Sequence, residues 1–155
     1  MTSDLIATDQ PIPDELRLTL EVLVAMMIPQ SREYAVPGAD DALIFAGILD
    51  KTGENLPVVI EGLKALDDLS TARHGERFSE LGDDRKRTLI EEFKGAQAQF
   101  VRMLTSITAQ CYYQDDRVLE ALGVEARAPF PDGFTVEQGD WSLLEPVRQR
   151  GKLYR

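Results

Sequence analysis

The chain has 155 residues, of which 43% are hydrophobic, and its formal net charge is −10. This length and composition fit one compact domain with a single core. Because phosphates and anionic lipid headgroups attract basic proteins, the acidic charge argues against nucleic acid and anionic membrane surfaces as partners. The single cysteine, Cys111, excludes an intrachain disulfide. We interpret it as a small apolar residue on a helix face.

The N-terminal segment does not resemble a targeting sequence. It has acidic residues where a secretory signal has a basic start, and it contains neither a twin-arginine pair nor an apolar run. No stretch approaches the roughly 20 apolar residues that a membrane span needs. We therefore expect an unprocessed, soluble, cytoplasmic protein without direct membrane insertion. A periplasmic location would require a partner that carries its own signal.

Three helices are predicted in the first half of the chain. The first covers residues 14–27, Asp40 or Asp41 caps a short second helix, and the third spans about 57–69. The polar stretch after the third helix holds the only histidine, His74, and is predicted as a loop or a single turn. The apolar residues at helical spacing are Leu16, Leu20, Leu23, Val24 and Met27 in the first helix, Leu43, Ile44, Ile48 and Leu49 in the second, and Val59, Ile60, Leu63 and Leu66 in the third.

The longest apolar pattern lies between Asp84 and Tyr113. It predicts one long helix, or two collinear helices with a kink near Gly95, since a helix interior tolerates one glycine at a cost of about 1 kcal/mol. Asp115 or Asp116 then caps a short helix. The residues of the pattern are Leu89, Phe93, Ala96, Phe100, Leu104, Ile107 and Cys111. No segment alternates as a strand does. We predict an all-α fold, a compact bundle of about five to six helices in a domain of residues 1–126.

Residues 127–155 are predicted as an extended, irregular C-terminal arm. Proline and glycine interrupt the arm, and its charge is +1 against −11 for residues 1–126. Its aromatic and arginine residues are of the types enriched at protein interfaces. The arm therefore packs either on its own core or on a partner subunit. The candidate partner-binding residues are Tyr112, Tyr113, Phe130, Phe134, Trp141, Arg148, Arg150, Tyr154 and Arg155.

The sequence offers few groups for chemistry. One histidine cannot build a paired-histidine metal site or a Ser-His-Asp triad, and neither a glycine-rich phosphate loop nor a Cys-x-x-Cys motif is present. The acidic pairs at 40–41, 83–84 and 115–116 precede predicted helices, where aspartates cap free N–H groups. The pairs at 67–68 and 91–92 are interpreted as solvated surface. We predict no catalytic, cofactor-binding or metal site in this chain.

Two segments resemble a known family. "VAMMIPQSREYAVPGADDALIFAGIL" combines a helix ending in Ile-Pro, a Val-Pro-Gly loop and a second short helix, and "CYYQDDRVLEALG" is a Tyr-Tyr-x-Asp-x-Arg corner that opens another short helix. They are similar to the gluconate 2-dehydrogenase subunit 3 family, and the similarity spans about residues 16–123.

This resemblance implies a noncatalytic small subunit. Such a subunit binds and stabilises an FAD-dependent alcohol or sugar dehydrogenase or oxidase of the glucose-methanol-choline class. The large subunit would hold the FAD and the substrate, and an electron-accepting cytochrome is a further expected partner. Many family members resemble exported proteins with a twin-arginine signal. This chain departs from that pattern, which favours a cytoplasmic complex or a partner with its own signal.

Two other classes of function stay open from the sequence. One is a free-standing helical protein-interaction or regulatory module with an unrelated partner, which predicts that no flavoprotein copurifies. The other is an enzyme that uses Cys111 or the Asp115 and Asp116 pair. An intrinsic activity lost in Cys111→Ala or Asp115→Asn would support the enzyme.

Overall fold

The computed structural model describes residues 12–127, 133 and 139–150. The described residues form an all-α body of six helices and a short seventh helix in the arm, and they contain an isolated β-bridge rather than strands. The bundle of five to six helices is therefore confirmed. The helices are α1 (Asp14–Met27), α2 (Ala42–Thr52), α3 (Leu56–His74), α4 (Asp83–Ala96), α5 (Ala98–Tyr112), α6 (Asp116–Ala121) and α7 (Glu145–Arg148).

The core lies where the helices pack in pairs. α2 packs on α5, α1 packs on α3, and α3 also contacts α4 and α5. The close contact between α3 and α5 depends on Gly62, because a Cβ atom there would lie 2.3 Å from Cδ2 of Phe100. The core residues with no exposed surface are Leu20, Val24, Ala39, Ile48, Val59, Leu63, Leu66, Phe78 and Leu104.

α3 is longer than predicted. The sequence analysis ended this helix near Leu69 and placed His74 in a loop, whereas the helix continues to His74. Its last turn is stabilised because Ser70 is buried and donates to the carbonyl of Glu76 at 2.8 Å. Gly75, with φ of 77°, takes the left-handed conformation that ends the helix. The prediction of a loop was wrong for this turn.

The longest apolar pattern forms two helices. α4 and α5 are separated by Gln97, whose φ of −122° and ψ of 42° are not helical. The break therefore comes two residues after Gly95. Six of the seven residues of the pattern are buried, and the seventh, Ala96 beside the break, is exposed. Phe93 and Phe100 join the two helices through an edge-to-face ring contact at 6.0 Å.

Asp67 is a structural residue rather than solvated surface, which corrects the sequence interpretation. Its carboxylate accepts from the buried hydroxyl of Thr19 at 3.1 Å and from the backbone N–H of Phe78 at 3.1 Å. It thereby joins α1, α3 and the 3-10 turn Phe78–Glu80. The neighbouring Asp68 is exposed, as the sequence analysis expected for this pair.

The arm contains helical turns that its sequence did not predict. Trp141–Leu144 form a 3-10 turn that leads directly into α7. Asp140 starts this segment by accepting from the backbone N–H of Ser142 at 2.9 Å. Hydrogen bonding from the Ser142 side chain, followed by that from its backbone, lowers the pKa of Asp140. Every residue from 139 to 150 is exposed. The description of the arm as irregular was therefore wrong for these turns.

Candidate interaction site

The two segments that carry the family resemblance meet in the structure. The first is the loop between α1 and α2, residues 28–41, and the second is the corner between α5 and α6, residues 112–117. Side chains of the corner donate to the loop at two places, Pro37 and Asp41. We refer to the two segments together as the loop–corner site.

The loop has a fixed shape of its own. Ser31 and Val36 exchange two backbone hydrogen bonds of 3.1 Å, which close a tight turn. The N–H of Ala39 donates to the carbonyl of Ile28 at 2.9 Å and holds the ends of the loop together. Within the turn, Ala35 has a φ of 52°, a left-handed conformation that is uncommon for residues other than glycine. The side chain before it, Tyr34, is 68% exposed.

Gly38 is required by a close approach of backbone segments. A Cβ atom at this position would lie 2.2 Å from Oδ1 of Asp40 and 3.0 Å from the backbone nitrogen of Gln30. Any other residue would require the Asp40 side chain to move and the backbone near Gln30 to shift slightly. The Val-Pro-Gly motif thus has a geometric role in bringing the end of the loop against its start.

Arg117 joins the two helix caps of the site. Its guanidinium donates to Asp115 from Nε at 2.9 Å and from Nη2 at 2.8 Å. It also donates to Asp41 from Nη1 at 3.1 Å and from Nη2 at 2.7 Å. Both carboxylates also cap helices, since Asp41 accepts from the N–H of Leu43 and Asp115 from that of Arg117 itself. One arginine therefore connects the starts of α2 and α6 through planar, paired hydrogen bonds.

Both carboxylates of this network are held in the ionised form. The hydrogen bonds from Arg117 are the main cause that lowers the pKa of Asp41 and of Asp115. The same bonds raise the pKa of Arg117. At neutral pH the two carboxylates carry no proton and the guanidinium does not release one. Their arrangement therefore suits a structural role better than acid–base chemistry.

Tyr112 is a buried part of the same site. Its side chain is 5% exposed, and its hydroxyl donates to the carbonyl of Pro37 at 3.1 Å. Burial raises the pKa of this hydroxyl. The sequence motif that contains the tyrosine pair was interpreted as a corner. The hydrogen bond from Tyr112 to Pro37 holds this corner against the loop. Its neighbour Tyr113 meets the Tyr112 ring edge to face at 5.3 Å and is 54% exposed.

The remaining candidate residues divide between exposed and undescribed positions. Trp141, Arg148 and Arg150 are exposed in the arm, and Arg148 pairs with Glu145 at 3.8 Å. Partner contact by these residues and by the two tyrosines stays a prediction. The candidates that lie outside the described residues are Phe130, Phe134, Tyr154 and Arg155.

Two exposed residues, Tyr34 in the loop and Leu43 next to it in α2, were not identified from the sequence as interaction candidates. Tyr34 gave no periodic signal, because it lies in the loop. Leu43 was assigned to the apolar stripe of α2, yet it is 72% exposed. Its position two residues after the Asp41 cap places it in the first turn of the helix, at the outer end of the stripe.

A shallow depression lies beside Leu43. It has a volume of about 240 Å³, and its lining includes Asp50, Cys111, Gln114 and Asp115. Burial raises the pKa of Cys111, so its thiol is held protonated rather than activated. In the part of the chain that the structure describes, no cluster of three His, Cys, Asp or Glu side chains could hold a metal ion.

Comparison with known proteins identifies the family. The model of gluconate 2-dehydrogenase subunit 3 matches residues 14–124, from the start of α1 to just beyond α6. The chain belongs to the gluconate 2-dehydrogenase subunit 3 family. The match to subunit 3 includes the whole loop–corner site. By its name, this family contributes a subunit to a multi-subunit dehydrogenase.

No curated protein and no solved structure shows significant similarity to this member of the subunit 3 family. Among the described helices, none combines the length and the apolar character needed to cross a membrane.

Proposed function

We propose that the chain is a noncatalytic small subunit that binds and stabilises an FAD-dependent alcohol or sugar dehydrogenase or oxidase of the glucose-methanol-choline class. The observation that carries this proposal is the family match over residues 14–124. The flavin and the substrate site belong to the large subunit in this proposal, and an electron-accepting cytochrome is a further partner. The complex is cytoplasmic, or periplasmic if the large subunit carries a signal.

The state of the reactive side chains supports a role without catalysis. Asp41 and Asp115 are kept ionised by Arg117, and the thiol of Cys111 is buried with a raised pKa. A general acid or base works best with a pKa near the operating pH, and a nucleophilic cysteine needs a lowered pKa. The pKa values of these groups are shifted in the opposite direction, away from the values that suit an acid, a base or a nucleophile.

The helical turns of the arm are a proposed contact with the large subunit. Apolar side chains that are exposed in its helical turns include Trp141, Leu143 and Val147. A short helical segment of this kind fits the groove of a partner protein, where its apolar residues act as anchors.

Copurification tests the proposed function. The tagged chain is purified from its native host, and the eluate is examined for the visible absorbance of flavin and for partner masses by mass spectrometry. A stoichiometric flavoprotein of the glucose-methanol-choline class is the expected result. If the chain elutes alone and colourless at good expression and low salt, the proposal is wrong and a free-standing module with another partner is favoured.

Deletion of residues 129–155 tests the role of the arm. We expect the truncated chain to lose the flavoprotein while its helicity, measured by circular dichroism, stays near that of the full chain. Trp141→Ala in the full chain is the finer variant, and Leu18→Ala, an exposed apolar position on α1, is its control. If truncation instead unfolds the body, the arm belongs to the core of this chain.

A further inference from the structure

Three large side chains on or next to the segments of the loop–corner site are mostly exposed. They are Tyr34 in the loop at 68%, Leu43 in the first turn of α2 at 72% and Tyr113 in the corner at 54%. Their backbones are held in place by the hydrogen bonds described above, which run from Tyr112 to Pro37 and from Arg117 to Asp41. We call these three side chains, with the depression beside Leu43, the corner face.

The corner face is rigid as well as exposed. Tyr34 projects from a turn that is closed by two backbone hydrogen bonds and contains the left-handed Ala35. Unfavourable backbone conformations persist where the surrounding structure imposes them, and such positions concentrate at functional sites. A rigid anchor loses little conformational entropy on binding, which favours its use in an interface.

The charge around the corner face indicates the chemistry of its partner. Residues 28–51 and 112–125 hold eight Asp and Glu against three Lys and Arg, a balance of −5 within the chain's −10. The lining of the depression includes Asp50 and Gln114, whose oxygens can accept hydrogen bonds from a basic side chain, together with one base, Lys51, and with Asp115, which already accepts from Arg117. A partner surface with apolar anchors and a rim of Lys and Arg is therefore complementary.

The same charge argues against a second copy of this chain as the occupant. Two copies would bring two acidic surfaces together, and like charges at an interface oppose association. The described part of the arm, residues 139–150, is exposed and leaves the corner face uncovered. These observations favour a different protein chain as the occupant.

We infer that the corner face binds a basic-rimmed apolar surface on the large subunit, with Tyr34, Leu43 and Tyr113 as anchors. This inference rests on the proposed function, since it assumes that a flavoprotein partner exists. It adds a location and a charge preference to that function. It also gives the loop–corner network a purpose, because Arg117 and Tyr112 fix the relative positions of the two segments that carry the anchors.

A matched pair of leucine variants tests the inference. Leu43 and Leu18 are both exposed leucines on helices, at 72% and 57%, and only Leu43 belongs to the corner face. The flavoprotein that copurifies with the wild-type chain is identified by absorbance and mass spectrometry, purified apart, and titrated with full-length wild type, Leu43→Gln and Leu18→Gln. Circular dichroism and thermal unfolding first establish that both variants fold as the wild type does.

We expect Leu43→Gln to weaken binding by about tenfold or more, as loss of an interface anchor does, and Leu18→Gln to leave the affinity within about twofold. Binding by the wild type should also weaken as salt is raised, because the partner's basic rim is attracted to an acidic surface. Equal affinity of Leu43→Gln and wild type would overturn the inference while leaving the proposed function intact.

Two other outcomes would exclude the large subunit as the occupant of the corner face. If no flavoprotein binds the wild-type chain, the proposed function fails first, and the corner face as a large-subunit site fails with it. If light scattering shows a wild-type dimer that Leu43→Gln dissociates, the face joins two copies of this chain and the inference is wrong. Tyr34→Ser provides a second variant on the separate loop, and it should weaken binding as well. An unchanged affinity of Tyr34→Ser would likewise contradict the inference.

Discussion

Arg117 and Asp41 are 76 positions apart in the chain, and two hydrogen bonds of 3.1 and 2.7 Å join them. The contact connects the cap of α2 to the first turn of α6. Because Asp115 binds the same guanidinium, a single side chain sets the distance between two loops. The planar fork of arginine makes this geometry possible, and the point charge of lysine could not reproduce it.

Replacement of Arg117 by glutamine should lower stability in a pH-dependent way. The lowered pKa values of Asp41 and Asp115 stabilise the folded state at pH values above the unfolded pKa of about 3.9, and this contribution is lost as pH falls through the lower folded values. Urea unfolding midpoints should therefore differ most between wild type and Arg117→Gln above about pH 5, and the difference should narrow towards pH 2.

Arg73→Gln is the control for this prediction. Arg73 forms an ion pair with Glu92 in which both side chains are about half exposed, and such pairs contribute little. The urea unfolding midpoint of Arg73→Gln should stay close to that of the wild type at every pH. A deficit in Arg117→Gln that persists unchanged at low pH would show that packing, rather than charge, explains the effect.

Tyr112→Phe isolates the hydrogen bond to the loop. The variant removes the hydroxyl that donates to the carbonyl of Pro37 but keeps the buried ring. We expect the free energy of unfolding to fall by about 0.5–1.5 kcal/mol, the usual net contribution of one hydrogen bond. Chemical denaturation measures the change, with Tyr113→Phe as the matched control. Because Tyr113 is exposed, its variant should differ from wild type by less than about 0.5 kcal/mol.

The sequence predicted the helices more successfully than the contacts between them. The bounds of α1 follow from Pro13, the acidic first turn and Pro29, which are local signals, and the structure places the helix at the predicted residues. The apolar period likewise identified the buried faces of α4 and α5. The alternative of two helices with a kink near Gly95 placed the interruption two residues before the break at Gln97, a residue that itself has no strong local preference against a helix.

The loop–corner site shows why contacts between distant segments could not be predicted from the sequence. The sequence predicted that Asp40 or Asp41 and that Asp115 or Asp116 cap helices, and the caps are Asp41 and Asp115. Their common partner Arg117 depends on the tertiary arrangement of segments that are distant in the chain, for which no local pattern exists. The exposure of Leu43 also depends on the tertiary arrangement, because apolar spacing alone does not show which residues of a stripe lie outside the core.

Asp67 is a second position where tertiary structure overrode the sequence interpretation, and it gives a stability prediction. Asp67→Ala removes the acceptor of the Phe78 N–H and leaves the buried Thr19 hydroxyl with only the more distant carbonyl of Glu15, at 3.5 Å. We expect a loss of about 1–3 kcal/mol, the cost of leaving buried donors unpaired or poorly paired. Asp68→Ala, on the exposed neighbour, should change stability by less than about 0.5 kcal/mol. Similar unfolding midpoints for the two variants would contradict a structural role for Asp67.

Two glycines of the body should respond oppositely to alanine. At Gly62 a Cβ atom would lie 2.3 Å from the ring of Phe100, so Gly62→Ala forces α3 and α5 apart or displaces the ring. Overpacking of this kind costs about 1–3 kcal/mol.

At Gly95, within α4, no heavy atom lies within 4 Å of the added methyl group. Since alanine has the higher helix propensity, Gly95→Ala should raise stability by up to about 1 kcal/mol. Thermal and urea unfolding of both variants measure the changes. A destabilised Gly95→Ala would indicate that this glycine serves the break before α5, whereas a neutral Gly62→Ala would mean that the contact between α3 and α5 can open without cost.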